Sequence, residues 1–327
     1  MESPNGADLC FPQLLNASCR KPTIPRSEAV FLNILLSSVS LLTVALNLLV
    51  IISVSYFRQL HTPTNILLLS LAVSDFLVGL VLFPGELLRK TACWYLGDFM
   101  CVFYGCVSYI ITSASIGDMV LISVDRYVAI CDPLHYPTKV TLPKVKGCVV
   151  LCWLLSVLYS SLFLKDDLTQ PGRHNFCYGE CLVIVTSMAG LADLVLNFIA
   201  PVTVIIVLHM RVFVVAVSQA RAMRSRITAV NHQQSVTLTS SKSELKAART
   251  LGVLVVVFLM CFCPYYCVLL AGENVLSGSS YALYLFLFNS CLNPVIYALF
   301  YPWFRNSVKL IITLQILQPG LCEVNIL

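Results

Sequence analysis

Apolar residues along this chain gather into seven long runs, near residues 29–56, 64–88, 99–130, 145–164, 182–217, 246–270 and 280–301, separated by short polar stretches. A helix needs about 20 mostly apolar residues to cross the hydrocarbon of a bilayer. It also satisfies its own backbone groups there, which irregular chain cannot do. The pattern predicts an all-α membrane protein: a seven-transmembrane helix bundle followed by a short C-terminal amphipathic helix. It divides the chain into an extracellular N-terminus (1–28), the seven-helix transmembrane domain (29–301), and an amphipathic helix with a cytoplasmic tail (302–327). Within the bundle, 218–245 reads as a third cytoplasmic loop, rich in Ser, Arg, Gln and Thr and lacking apolar periodicity.

Polar residues inside such runs are costly in hydrocarbon and need inward-facing partners or water. Asn47, Asp75, Asp118, Asp193, Asn293 and the pair Asp125 and Arg126 are of this kind. Asp118 lies ten residues after Ser108, about 280° around a helix, so it faces elsewhere and reads as a structural partner of Trp153 or Ser70. Pro84, Pro201, Pro264 and Pro294 interrupt spans two, five, six and seven, each removing a backbone hydrogen bond and permitting a kink.

Composition agrees with a membrane chain: 58% hydrophobic, 11% charged, mean hydropathy +0.85. Connections on the side of Arg58, Lys139, Arg221 and Arg305 carry 14 Lys/Arg and 4 Asp/Glu, against 7 and 9 on the other side. Basic residues beside spans stay in the cytoplasm. The N-terminus is therefore expected outside, with the first helix serving as its own insertion signal. The net charge of +5 belongs to the inner membrane face and its lipid rather than to nucleic acid. Six cysteines, Cys10, Cys19, Cys93, Cys101, Cys177 and Cys181, fall outside, where disulfides persist. Asn16-Ala17-Ser18 is an N-glycosylation sequon on the same side. Neither a nucleophile with its base nor a cluster of metal ligands shares a span, so no enzyme chemistry is expected. A cation transporter or channel using Asp75, Asp118 and Asp193 lacks the internal repeats such folds carry.

Further motifs fall in a familiar order: Leu71-Ala72-Val73-Ser74-Asp75 in span two, Asp125-Arg126-Tyr127 closing span three, Trp153 in span four, Cys261-Phe262-Cys263-Pro264 in span six, and Asn293-Pro294-Val295-Ile296-Tyr297 in span seven. Over nearly its whole length the chain resembles the rhodopsin-like G-protein-coupled receptors. Gln59-Leu60-His61-Thr62-Pro63-Thr64-Asn65 and Phe300-Tyr301-Pro302-Trp303-Phe304-Arg305 resemble the signature of the trace amine-associated receptors. The resemblance implies a plasma-membrane receptor for a small amine, signalling through a heterotrimeric, stimulatory G protein with cyclic AMP output.

Residue roles follow from the same resemblance. Asp125 and Glu244 clamp Arg126 in the resting state; Tyr127, Asn293, Pro294 and Tyr297 take part in switching, and His209 replaces the usual span-five tyrosine. Asp75, Ser115, Asn289, Ser290 and Asn293 form a pocket for an allosteric sodium ion, with no other cofactor implied. Cys101 pairs with Cys181, which leaves Cys177 for an N-terminal cysteine, Cys19 or Cys10, with Cys19 preferred.

The ligand site departs from the family. Most amine receptors carry an aspartate in span three, seven residues after the bridging cysteine, and a span-seven tyrosine bonded to it. Here those positions hold Ser108 and Leu287, and Phe262 replaces the usual tryptophan of span six. Asp193 stands eight residues before Pro201, about 12 Å outward at 1.5 Å per residue, the depth of an outer-half pocket. Asn197 shares its face, and Tyr265 and Tyr266 approach from span six. No Lys or Arg within the spans is expected to pair with Asp193, so an incoming ammonium supplies the missing charge, with cation-π help from the tyrosines. Thr112 completes this pocket with Ser108, and Glu86 is a second acidic group nearer the entrance. A non-amine ligand on the same fold is the alternative reading.

Overall fold

The computed structural model of the chain describes residues 9–14, 17–21, 25–172, 175–182, 187–229, 235–270 and 279–317. Within its helices the side chains of 26, 187, 219–220, 223–229, 235–251 and 279–280 are also set aside. Asn16 and the side chain of Glu244 therefore lie outside the described residues.

Span one is α1 (Arg26–Tyr56). Span two is α2 (Pro63–Leu77), a π-helical turn (Val78–Leu82) and α3 (Phe83–Thr91). Span three is α4 (Gly97–Cys131); an inner-loop turn, α5 (Tyr136–Lys139), leads to span four, α6 (Leu142–Phe163), and an outer-loop turn, α7 (Lys165–Thr169), follows it. Span five is α8 (Ser187–Asp193), a second π-helical turn (Leu194–Ile199) and α9 (Ala200–Ala229). Spans six and seven lie in α10 (Ser235–Leu270) and α11 (Ser279–Phe300), and α12 (Pro302–Ile312) follows. Among the described residues, seven helices are long and apolar enough to cross a membrane.

The prolines explain the two π-helical turns. Pro84 and Pro201 occupy the second positions of α3 and α9, where a missing N–H is harmless. The widened turn just before each lets the helix restart at its proline instead of clashing with it. One carbonyl of the first turn, that of Gly79, accepts from Ser40 Oγ of α1 at 2.7 Å. Pro264 and Pro294 stay inside continuous helices.

α4 is the central strut, packed against α2, α6 and α9 and touching α10. The core runs from Phe57 and Leu60 through Leu67, Leu71, Ile111, Met119 and Phe258 to Tyr297. Leu151, Leu154, Leu155 and Leu158 of α6 point outward, as a lipid-facing surface requires.

Both signature motifs act at helix ends. Thr62 caps α2 by accepting from the Asn65 N–H at 3.3 Å, Pro63 begins the helix, and Asn65 Nδ2 ties back to the Leu60 carbonyl at 3.0 Å. Arg305 Nη1 donates to the last carbonyls of α11, Ala298 at 3.0 Å and Leu299 at 3.1 Å, which a helix C-terminus leaves unpaired. Pro302 starts α12, and Trp303 and Phe304 bury its apolar face.

Three sequence expectations are corrected. Span five does not begin at 182: Cys181 is tied to Cys101 and the Leu182 N–H donates to Asn175 Oδ1 at 3.2 Å, so Leu182 belongs to the outer loop, and the described helix starts at Ser187. Span two does not end at 88 but continues to Thr91, with Arg89 paired to Glu86 one turn back along the same helix. The connection 218–245 is not loop throughout, since α9 runs to Ala229 and α10 begins at Ser235.

The outer face is stapled. Cys101 bonds to Cys181, Cys19 to Cys177, and Cys10 to Cys93. Backbone bonds from Cys19 N to Tyr178 O at 2.9 Å and from Tyr178 N to Ala17 O at 2.7 Å lay the N-terminal segment against the outer loop. Gly179 makes the fit possible. Its φ is +106°, its carbonyl accepts from Trp94 N at 2.9 Å, and a Cβ there would meet Cys10 Cβ at 2.7 Å. Gly179→Ala is therefore expected to cost about 2 kcal/mol through backbone strain and overlap. Purified receptor should lose several degrees of thermal stability. Gly97→Ala, at φ +82° but with nothing within 4 Å, should do less.

Candidate functional site

Asp193 ends α8 and is 8% exposed. Its Oδ1 accepts from Asn197 Nδ2 at 2.8 Å and from the Tyr159 hydroxyl of α6 at 2.9 Å. Asn197 reaches it across one turn, the helical neighbour spacing, inside the π-helical segment. No described cation pairs with Asp193. Tyr109 of α4, Tyr159, Tyr265 and Tyr266 all lie within electrostatic reach of the carboxylate.

These rings form a wall. Tyr109 packs on Phe163 at 4.7 Å and Tyr159 stacks on the same ring at 5.5 Å. Opposite, Phe198 stacks on Tyr266 at 4.3 Å, and Tyr266 meets Tyr265 edge-on at 5.3 Å. From Tyr265 the rings continue inward: Phe286 at 5.2 Å, Phe262 at 4.2 Å from Phe286, and Phe258 at 4.1 Å from Phe262. The outer pocket and the middle of the bundle thus share one aromatic column.

Ser108 lies on α4 with its hydroxyl donating to the Tyr104 carbonyl at 2.8 Å. Thr112 is half-buried one turn deeper, and neither bonds Asp193. Leu287 is buried in the apolar core. Glu86 is buried at the outer end of span two and is already matched: its Oε1 accepts from Arg89 Nη1 at 2.6 Å and from the Tyr104 hydroxyl at 3.0 Å. Tyr104 gets this close because Gly85 has no side chain; a Cβ there would meet the Tyr104 ring at 2.1 Å.

Deeper in the bundle, Asp75 is fully buried and its Oδ2 accepts from Asn293 Nδ2 at 2.7 Å. Asn47 Nδ2 donates to the Ser290 carbonyl at 3.0 Å. Asp75 Oδ1, Asn289 Oδ1 and Asn293 Oδ1 are buried without a described partner. Ser115 is buried on α4 and makes no described bond to Asp75. Asp118 belongs to another network: Ser70 Oγ donates to its Oδ2 at 2.8 Å, and Trp153 Nε1 donates to Ser70 Oγ at 3.0 Å.

At the inner end, Arg126 Nε and Nη2 donate to Asp125 Oδ2 at 2.9 and 2.5 Å, and Nη2 also reaches Thr64 Oγ1. Thr64 Oγ1 donates to Asp125 Oδ2 at 2.9 Å and the Tyr136 hydroxyl to Oδ1 at 2.8 Å. Tyr127 is half-buried on the same turn. His209 Nε2 lies 3.3 Å from Ser123 Oγ, with no described contact to Arg126. Tyr297 is buried, its hydroxyl without a described partner, three residues beyond Pro294.

Sequence reasoning missed Tyr109, Tyr159, the Arg89–Glu86–Tyr104 cluster, the Thr64 and Tyr136 contacts, and Cys10 with Cys93. Only the last carried a signal, since Cys93 is an outer cysteine left over once the other two bridges are assigned.

Known proteins bear on this arrangement. Residues 46–297 match the 7 transmembrane receptor (rhodopsin family). Trace amine-associated receptor 13c of Danio rerio is 36% identical over 331 residues, covering 98% of this chain and 96% of that protein. Trace amine-associated receptor 8a of Rattus norvegicus is 37% identical, over 95% and 94%. Trace amine-associated receptor 1 of Mus musculus is 35% identical, over 93% and 95%. Such coverage, with seven spans and the motifs at their ends, makes this a multi-pass plasma-membrane receptor for a small molecule, acting through a G protein and not as an enzyme. The chain belongs to the trace amine-associated receptor family of rhodopsin-like G-protein-coupled receptors.

Proposed function

We propose that this receptor senses amines and that Asp193 holds the ligand's ammonium group. One observation carries the reading: a buried carboxylate with two neutral donors on one oxygen, one of them Tyr159, no described cation beside it, and three further tyrosines within electrostatic reach. A charge taken out of water needs a counter-charge. A protonated amine provides one, and the tyrosine faces add about 0.5–2 kcal/mol through cation-π attraction. The names of the matched relatives point to the same ligand class.

Signalling then requires the ligand to bind one packing of the bundle better than another. An ammonium bridging Asp193 and the span-six tyrosines would pull spans five and six together and press on the Phe286–Phe262–Phe258 column. Release of Arg126 from its clamp, including Glu244, would follow, with a stimulatory G protein and cyclic AMP as the output. Cells expressing the receptor should respond to members of a panel of mono-, di- and tertiary amines and ignore neutral alcohols of the same shape. Responses to the alcohols without responses to amines would overturn the reading.

Asp75, Asn289 and Asn293 suit a hard cation, because each presents a buried oxygen without a described hydrogen-bond partner, and Ser290 lies beside Asp75. A sodium ion bound there would supply a positive charge bridging spans two and seven. Holding those spans in the present packing opposes activation, so the ion and the amine should weaken each other's binding. At constant ionic strength, replacing choline by sodium should lower amine potency several-fold, and Asp75→Asn should abolish that dependence.

A further inference from the structure

A second charged pole lies at the outer end of span two, within electrostatic reach of Tyr265 as Asp193 is. Glu86, Arg89 and Lys90 cluster there, with Arg89 Nη1 paired to Glu86 Oε1 at 2.6 Å. The Arg89 guanidinium is partly buried, its side chain 30% exposed. It bonds Glu86, which Tyr104 of span three also holds, and lies within electrostatic reach of Tyr265 of span six and Tyr284 of span seven. Tyr265 is within reach of both poles, sensing Asp193 as well as Glu86 and Arg89.

Two details decide what this pole can hold. Both described bonds to Glu86 fall on Oε1, and an arginine partner one turn away cancels its charge. That disposes against a second ammonium. Arg89 spends Nη1 on Glu86, while its Nε is buried without an acceptor. A guanidinium has five N–H donors in a planar fork and can hold two carboxylates at once. A buried donor left unmade is a standing demand for an acceptor.

We propose that the preferred ligand is an amine carrying a carboxylate at its far end, an ω-amino acid, with the ammonium on Asp193 and the carboxylate on Arg89. The proposal rests on the reading of Asp193 given above. Glu86 then acts as a positioning residue that orients the guanidinium, and Tyr265 lies within reach of both ends of the ligand.

The test uses full-length receptor in cells, with G-protein activation as readout and surface receptor measured for every variant. The probes are n-alkylamines, ω-amino acids and α,ω-diamines of three to eight carbons. Comparing potencies within one variant cancels differences in expression. At one chain length the ω-amino acid should exceed the matched alkylamine by about tenfold, the worth of one charge-assisted bond, and the diamine should fall below both. Arg89→Gln should bring the ratio of ω-amino acid to alkylamine close to one, and Arg89→Lys, keeping the charge without the fork, should leave it between. The proposal is overturned if alkylamines match or exceed ω-amino acids at every length, or if Arg89→Gln leaves the ratio unchanged. Asp193→Asn separates the two readings. If alkylamine responses survive it, the ammonium site itself is wrong. If they are lost while the Arg89 ratio never departs from one, only the carboxylate pole fails. Silence toward all three series would remove both.

Discussion

Asp193→Asn is expected to lower amine potency by about 30-fold or more, since removing one partner of a buried charge pair costs roughly 2–5 kcal/mol. Asparagine keeps the shape of the side chain and an oxygen that can accept from Tyr159 and Asn197, which now meet Asp193 Oδ1 at 2.9 and 2.8 Å. The fold should therefore survive, and surface expression should stay near that of the parent. Tyr159→Phe removes one neutral donor and leaves the charge, so its effect should be several-fold at most. The measurement is a concentration–response curve for each active amine, normalised to surface receptor. Equal potency in Asp193→Asn and parent across the panel would refute the amine reading. Ser108 cannot take over the charge, being neutral and already bonded to the Tyr104 carbonyl.

The contrast between Asp193 and its partners marks what the sequence could convey. Seven spans are legible because about 20 apolar residues in a row have few alternatives. Asp193 and Asn197 are legible as a pair because a spacing of four fixes their common face. Tyr159 is not: α6 is apolar nearly all round, so nothing in its sequence says which side meets span five. Tyr109 sits beside Ser108, and only the rotation of α4 within the bundle decides which of the two faces Asp193. The same limit hid the second pole, since pairing Arg89 with Glu86 required knowing that span two stays helical to Thr91. That the outer loop runs past Cys181 was hidden for another reason. Cys181 and Leu182 open an apolar run, but a disulfide and the Asn175 bond hold these two residues in the loop.

At the opposite membrane face, Asp125→Asn is expected to raise ligand-free signalling. Asp125 gathers four donors within 3 Å: Arg126 Nε and Nη2, Thr64 Oγ1 and the Tyr136 hydroxyl. It is 3% exposed, so these bonds act where water screens little. An asparagine retains one acceptor but loses the charge, and bonds to a charged group are worth roughly 1–2 kcal/mol more than neutral ones. If the clamp favours the resting packing by that margin, the active fraction should rise about 5- to 30-fold while it remains small. Basal G-protein activation per surface receptor should increase accordingly. Thr64→Val and Tyr136→Phe each remove one donor and spare the ion pair, so their increases should be smaller. Misfolding would lower basal and maximal signals together, whereas a loosened clamp raises the first and preserves the second. Unchanged basal activity at normal surface density would mean that Asp125 anchors Arg126 without restraining the switch.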